Sequence, residues 1–229
     1  TVAILRADDK DQKKDTDAEY TLTVSFRLKE DMSWADAGHE VAFGQKIYKK
    51  IPAFHASEKP IRVVHGKVNI GVKGEDFDCL FSMLSGGLVS YRYAGKEMIE
   101  KIPMPNFWRA PVDNDNGSMA PARYAQWKIA SMYISHRNGG MFDNVPTKVE
   151  EKDNTVTVTY TYFMPTTPAS KCQVAYTVFG DGTIETKLMY DPVEGLPDMP
   201  EFGMMFWFNA DYDNLTWYGT VSYTHLTLP

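Results

Sequence analysis

Alternating apolar and polar residues near the start of the chain predict antiparallel sheet. Between residues 19 and 29, Leu22, Val24 and Phe26 alternate with threonine and serine. This period of two predicts a half-buried strand. Residues 40–48 alternate more weakly and are predicted to pair with that strand through a connection at residues 31–38. The start of the chain is therefore predicted to belong to a small β-sandwich.

The same alternation returns beyond residue 60, in short segments separated by turn residues. It is strongest in Thr155 to Phe163, where threonines alternate with Val156, Val158 and two tyrosines, so that one face is predicted to be buried. Residues 203–209 are apolar without alternation, which predicts a strand that is buried on both faces or faces a second sheet. Further strands are predicted at 67–72, 77–83, 88–93, 97–102, 147–152, 172–179 and 183–190.

Two other segments depart from the strand pattern. Residues 51–60 have a proline near each end and no periodicity, which is typical of a linker between domains. Pro121 to Tyr133 has helical spacing and begins with proline, so it is predicted to be the one helix of a β-rich chain. The predicted fold class is all-β.

Composition narrows the range of partners. The chain has 229 residues, 43% of them hydrophobic, which is enough to bury a substantial core. Its net charge of -6 disfavours nucleic-acid binding, which needs clustered Lys and Arg. No apolar run approaches the length of a membrane helix, so no membrane partner is expected. Cys79 and Cys172 are too few for a disulfide framework and are predicted to be buried.

The composition most typical of a functional site occurs at residues 106–117, in a predicted loop with the sequence NFWRAPVDNDNG. Asp113 and Asp115 are candidates for an acid and base pair, but two carboxylates on one short loop rarely face each other across a bond. The spacing is also similar to a calcium loop, yet Tyr124 stands at the twelfth position, where a bidentate Glu is needed. Capping of the local backbone is favoured over both roles.

The same stretch resembles a loop of the bacterial β-galactosidases of glycoside hydrolase family 2, in which an aromatic residue, Arg-Ala-Pro, Asp-Asn-Asp and Gly recur. Residues 34–42, 85–93 and 214–219 resemble other segments of that family in order and spacing. The resemblance extends through Gly219.

The resemblance implies a domain order. Residues 1–52 would be the end of an immunoglobulin-like sandwich and residues 53–60 a linker. Residues 61–219 would be the first part of an antiparallel supersandwich similar to the galactose-mutarotase fold. Residues 220–229 match nothing in the family pattern and are expected to be an artefactual tail. The two catalytic Glu of the family would lie on a barrel before residue 1, so no catalytic residue is assigned to this chain.

The resemblance also implies roles for residues of this loop and of the segment that follows it. Gly117 would be the hinge of a mobile segment, Ser118 to Arg123, beside the active site. Arg109, Asp113 and Asp115 would anchor its fixed end through charge-assisted hydrogen bonds. A structural anchor without ligand contact remains an open alternative for those three.

The activity implied is hydrolysis of terminal non-reducing β-D-galactosides with retention, by a parent enzyme expected to use magnesium and sodium and to form a homo-oligomer. No ligand of either metal is assigned to this chain, and the isolated chain is predicted to be inactive. A noncatalytic carbohydrate-binding or assembly module and a mutarotase-like enzyme are the alternatives.

Overall fold

Antiparallel strands dominate the computed structural model, which describes residues 20–49, 57, 59–137 and 148–214. The all-β fold class is thereby confirmed. The strands are β1 (Tyr20–Arg27), β2 (Glu40–Lys49), β3 (Arg62–His65), β4 (Asn69–Lys73), β5 (Phe77–Ser82), β6 (Gly87–Tyr93), β7 (Lys96–Glu97), β8 (Lys101–Asn106), β9 (Lys148–Lys152), β10 (Thr155–Met164), β11 (Ser170–Phe179), β12 (Ile184–Tyr190) and β13 (Gly203–Trp207). The helices are α1 (Asp113–Gly117), α2 (Ala120–Arg123) and α3 (Ala125–Tyr133). None of these helices could cross a membrane.

The chain divides into two compact units, Thr1–His55 and Ala56–Pro229. In the described part of the first unit, β1 and β2 form the predicted hairpin, with Val24 opposite Gly44. The prediction of a half-buried strand is wrong, since Leu22 and Val24 are each 41% exposed and Phe26 is 37% exposed. The reason is that the residues described in this unit place no second layer over that face.

The second unit contains a five-stranded sheet, in the order β3-β4-β5-β6-β7, and a four-stranded sheet, in the order β12-β11-β10-β9. Every pairing is antiparallel, and a turn at residues 153–154 joins β9 to β10. The predicted strands within both sheets are confirmed to within a few residues, while β3 has no counterpart among the predictions. The alternation of β10 is confirmed, because Val156 and Val158 are fully buried.

The core of this unit lies between the buried faces of the two sheets. Phe81 of β5 lies 5.7 Å from the ring of Tyr176 on β11. The hydroxyl of Tyr160 on β10 donates to the carbonyls of Ser82 at 3.2 Å and Gly87 at 3.3 Å, which belong to the other sheet. A buried hydroxyl without a partner would be costly, so these bonds fix how the two layers pack.

Two strand predictions near the site are wrong. Residues 97–102 form no single strand, because β7 ends at Glu97 in the five-stranded sheet while β8 pairs with β13 in a separate two-stranded sheet. Pro103 and Pro105 lack an N–H, so β8 does not have a sequence typical of a strand. The missing donors also limit the hydrogen bonds that β8 can form with a neighbouring strand. Burial on both faces, one of the two alternatives predicted for residues 203–209, is wrong, because β13 leaves Met205 and Phe206 exposed.

The single predicted helix is also wrong in detail. Tyr124, with φ of -107° and ψ of 12°, separates α2 from α3, so the segment holds two helices. Both cysteines are buried as predicted. The tail at residues 220–229, the segment 215–219 and most of the linker at 53–60 lie outside the described residues, and the domain bounds stay a prediction.

Candidate functional site

The candidate site begins where β8 ends, at Asn106. The side-chain amide of Asn106 donates to the carbonyl of Trp108 at 2.7 Å, which turns the chain out of the strand. The backbone N–H of Phe107 donates to Ser131 Oγ at 2.8 Å, and that hydroxyl donates to the carbonyl of Trp127 at 2.9 Å. Strand β8 and helix α3 therefore position the start of the motif together.

The two aromatic residues of the motif differ in burial and in the residues they contact. Phe107 is fully buried and packs against Trp127, with ring centroids 5.9 Å apart. Trp108 is half-buried and lines a small pocket of about 50 Å³ with Arg109, Asp115 and three prolines. The motif thus contributes to the core with one ring and to a surface pocket with the next.

Arg109 and Asp115 form a bidentate ion pair beside that pocket. The distances are 2.6 Å from Nη1 to Oδ2 and 3.1 Å from Nη2 to Oδ1. Asp115 Oδ2 also accepts the backbone N–H of Val112 at 2.9 Å. The guanidinium of Arg109, and then the N–H of Val112, lower the pKa of the Asp115 carboxyl. Asp115 therefore stays charged at neutral pH and is held in one position.

Capping by Asp115 explains why residues 113–117 are helical where a loop was predicted. Asp115 is the third residue of α1 and accepts the N–H of Val112, the residue that caps the helix. Asp113 and Asp115 both lie in the first turn, where negative charge is favourable. The predicted role of the Asp and Asn side chains in capping the backbone is confirmed for Asp115.

Asp113 does not join this ion pair. It is exposed at the start of α1, and its carboxylate makes no hydrogen bond or ion pair with other described residues. Its role as an anchor beside Asp115 stays a prediction. Among the described residues, no group of three or more His, Cys, Asp or Glu is arranged to hold a metal ion.

The predicted mobile segment, Ser118 to Arg123, follows α1 directly. Ser118 Oγ donates to the carbonyl of Asp115 at 3.1 Å, and the guanidinium of Arg123 lies 4.9 Å from the ring centroid of Tyr124. Met119 is exposed and has a φ of 59°, in the left-handed region that is costly for a side chain other than glycine. The backbone strain in this segment therefore lies at Met119.

Gly117 has no structural need to be glycine in this conformation. Its φ is outside the left-handed region, and an added Cβ would meet nothing within 4 Å. The conformation described here therefore does not explain why this residue is glycine. Its role as a hinge stays a prediction.

Sequence reasoning missed a groove that is lined by Trp127. It has a volume of about 400 Å³ and lies between α3 and residues 190–202. Trp127 Nε1 donates to the carbonyl of Pro197 at 2.9 Å, and Tyr190 packs edge-on against Trp127 at 5.9 Å. Pro192, Pro197 and Pro200 are typical of a loop, but nothing in the sequence pattern indicates that this loop lies against a helix.

Comparison with known protein families identifies the family of this chain. Residues 73–222 match the family described as β-galactosidase small chain, and residues 1–48 match domain 4 of β-galactosidase. The chain belongs to the β-galactosidase family. The motif, the three helices and the groove all lie within the small-chain match, whereas the β1–β2 hairpin, except its last residue Lys49, lies within the domain 4 match.

Named relatives agree with the family match. The chain is 41% identical to a β-galactosidase of Clostridium acetobutylicum over 88% of its own length and 22% of the relative's. It is also 41% identical to one of Halalkalibacterium halodurans, over 91% of its own length and 20% of the relative's. A β-galactosidase small subunit of Latilactobacillus sakei is 36% identical over 66% of this chain and 51% of the subunit. The chain spans about a fifth of the length of the first two relatives.

Proposed function

We propose that the protein to which this chain belongs hydrolyses terminal non-reducing β-D-galactosides with retention, through a covalent glycosyl-enzyme. The observation that carries this proposal is 41% identity over 88% of the chain to a protein named β-galactosidase. In this proposal the chain supplies scaffold and a segment beside the active site. The catalytic carboxylates would lie on a part of the protein other than this chain.

The geometry of the candidate site supports the proposal that the catalytic carboxylates lie outside this chain. Retaining hydrolysis needs one carboxyl as acid and a second as nucleophile, about 5 Å apart across the bond. Asp115 does not suit the acid role, because its pKa is lowered, and it does not suit the nucleophile role, because Arg109 and the N–H of Val112 already bind its two oxygens. A carboxylate fixed in this way is suited to positioning α1 and the residues that follow it.

Purified chain offers a direct test of this division. We expect no hydrolysis of nitrophenyl β-galactoside by the 229-residue chain, prepared from a host that lacks its own β-galactosidase, and hydrolysis by the whole protein. Turnover by the chain alone would contradict the assignment of the catalytic carboxylates to another part of the protein. Lack of turnover by the whole protein would contradict the proposed function itself.

The segment from Gly117 to Arg123 is proposed to move during turnover. Gly117→Ala adds a methyl group into open space, and alanine is favoured over glycine in a helix by up to about 1 kcal/mol. The substitution should therefore favour the conformation described here. If the segment must leave it, we expect kcat of the whole protein to fall by up to about fivefold.

Gly44→Ala is the matched control, because Gly44 also has open space around an added Cβ and no positive φ, but lies on β2. We expect it to leave kcat unchanged. A Gly117→Ala protein with unchanged kcat and KM would contradict the mobile segment, while leaving the proposed hydrolysis intact.

Magnesium, sodium and a homo-oligomeric state belong to the proposal for the whole protein. The described residues of this chain do not fit a metal site, since they bring together no group of three or more His, Cys, Asp or Glu. No step of the proposed reaction is therefore assigned to a metal held by these residues.

A further inference from the structure

The groove between α3 and residues 190–202 has a floor that is already fixed. Trp127 is almost fully buried, and its indole N–H is bound to the carbonyl of Pro197. Phe107 and Tyr190 pack against it from two directions. A floor held by both ring contacts and a hydrogen bond does not need to rearrange when a ligand binds, which reduces the entropic cost of binding.

The rim of the groove carries two groups that packing does not explain. Phe202 is 50% exposed, although its ring lies 6.3 Å from that of Phe107 and is thereby held in place. Asp198 is exposed, and its carboxylate makes no hydrogen bond or ion pair with any described residue. The groove therefore offers an aromatic ring and a charged acceptor to the same volume.

These two groups match the chemistry of a sugar ring. One face of a galactopyranose presents C–H groups, which pack on the negative face of an aromatic ring. Neighbouring hydroxyls on the same ring can both donate to one carboxylate, in hydrogen bonds stronger than those to a neutral acceptor. A volume of about 400 Å³ lies within the range of small-molecule pockets.

We propose that this groove binds one pyranose ring of a β-galactoside, with Phe202 as the stacking surface and Asp198 as the acceptor of two hydroxyls. The choice of a sugar rests on the proposed function. The site itself lies on this chain and needs none of the residues that carry out hydrolysis.

Ligand-observed NMR on the 229-residue chain tests this site without turnover. Methyl β-D-galactoside and lactose are the probes, and saturation transfer from protein to sugar is the signal. We expect saturable binding with a Kd in the range of about 1 to 10 mM, as suits a single ring on an open groove. No transfer to either sugar at several times that concentration would overturn the proposal.

Two variants locate the binding. Asp198→Asn keeps the shape of an exposed side chain and removes its charge, and we expect about tenfold weaker binding. Phe202→Leu keeps apolar bulk while removing the ring face, and we expect saturation transfer to be lost. If the leucine variant does not fold, as judged by near-UV circular dichroism, the Asp198→Asn result decides alone.

Matched controls separate the groove from general surface effects. Phe208→Leu replaces an aromatic residue that is 55% exposed and does not line the groove, and Asp211→Asn neutralises an exposed acid elsewhere. Both should bind sugar as the unaltered chain does. Equal weakening in variants and controls, or unchanged binding in both groove variants, would overturn the proposal.

The outcomes also distinguish this site from the proposed function. Hydrolysis by the whole protein together with no sugar binding to the chain would overturn the groove alone. Sugar binding to the chain without hydrolysis by the whole protein would leave the groove standing and would favour a noncatalytic carbohydrate-binding module.

Discussion

The β1–β2 hairpin and the β10–β11 hairpin have the same kind of sequence but different surroundings. In both, apolar residues alternate with threonine and serine along the strand. Val24 of β1 is nevertheless 41% exposed, while Val158 of β10 is fully buried. Alternation therefore predicts that a strand has one apolar face, but burial depends on a second layer that covers this face.

The second layer is visible in only one of the two cases. The five-stranded sheet supplies it for β10 and β11, through contacts such as that between Phe81 and Tyr176. Among the residues described in the first unit, the corresponding face of β1 and β2 forms an open groove lined by Leu22, Phe26 and Phe43. Removal of an apolar side chain should therefore cost more folding free energy in the covered core of the second unit than on the exposed face of the first.

The largest difference is expected for a matched pair of phenylalanines. Phe81→Ala removes a fully buried ring and should lower the free energy of unfolding by about 3–5 kcal/mol. Phe26→Ala removes a ring that is already exposed and should cost less than about 1 kcal/mol. Urea unfolding of the chain, followed by circular dichroism, measures both. Equal losses would mean that the β1 face is covered in solution, which would remove the contrast.

Alkaline pH should act on the buried face of the second unit. Burial raises the pKa values of Tyr160, Tyr162 and Tyr176 above the usual value near 10. Since the unfolded chain releases these protons first, their stabilising contribution is complete below pH 10. It is lost as pH rises through 10 toward the folded pKa values, by about 1.4 kcal/mol per pH unit for each tyrosine.

Tyr162→Phe checks this pH dependence. It should make the decline of unfolding free energy above pH 10 less steep, because one titrating hydroxyl is removed. Tyr212→Phe, which removes a hydroxyl from an exposed ring, is the control and should leave the slope nearly unchanged. The same slope in both variants would show that the buried hydroxyls do not control alkaline unfolding.

The smallest effects are expected at one turn in each unit. Ala94, with φ of 47°, lies in the left-handed region between β6 and β7, so Ala94→Gly should relieve strain and raise stability by up to about 1 kcal/mol. Gly38 has φ of 89° between β1 and β2, and Gly38→Ala should lower stability by about 1 kcal/mol although nothing lies within 4 Å of the added Cβ. Thermal unfolding measures both, and shifts of the same sign would contradict the backbone explanation.

The candidate site was only partly predictable from sequence. The motif at residues 106–117 was located by its composition, and the charge-assisted bond of Arg109 was expected. That Asp115 and not Asp113 receives this bond follows from helix α1, whose first turn presents the two carboxylates in different directions. The groove at residues 190–202 could not be predicted, because Trp127 and Pro197 are far apart in sequence and meet only through packing.

The sequence by itself determined most of the strands, most of the turns between them and the family, because these depend on local alternation, on turn residues and on a motif that can be matched residue by residue. The tertiary structure alone decided which apolar faces are covered, which carboxylate Arg109 binds and where an aromatic groove opens. Those features depend on contacts between residues far apart in the chain, and such contacts leave no periodic pattern in the sequence.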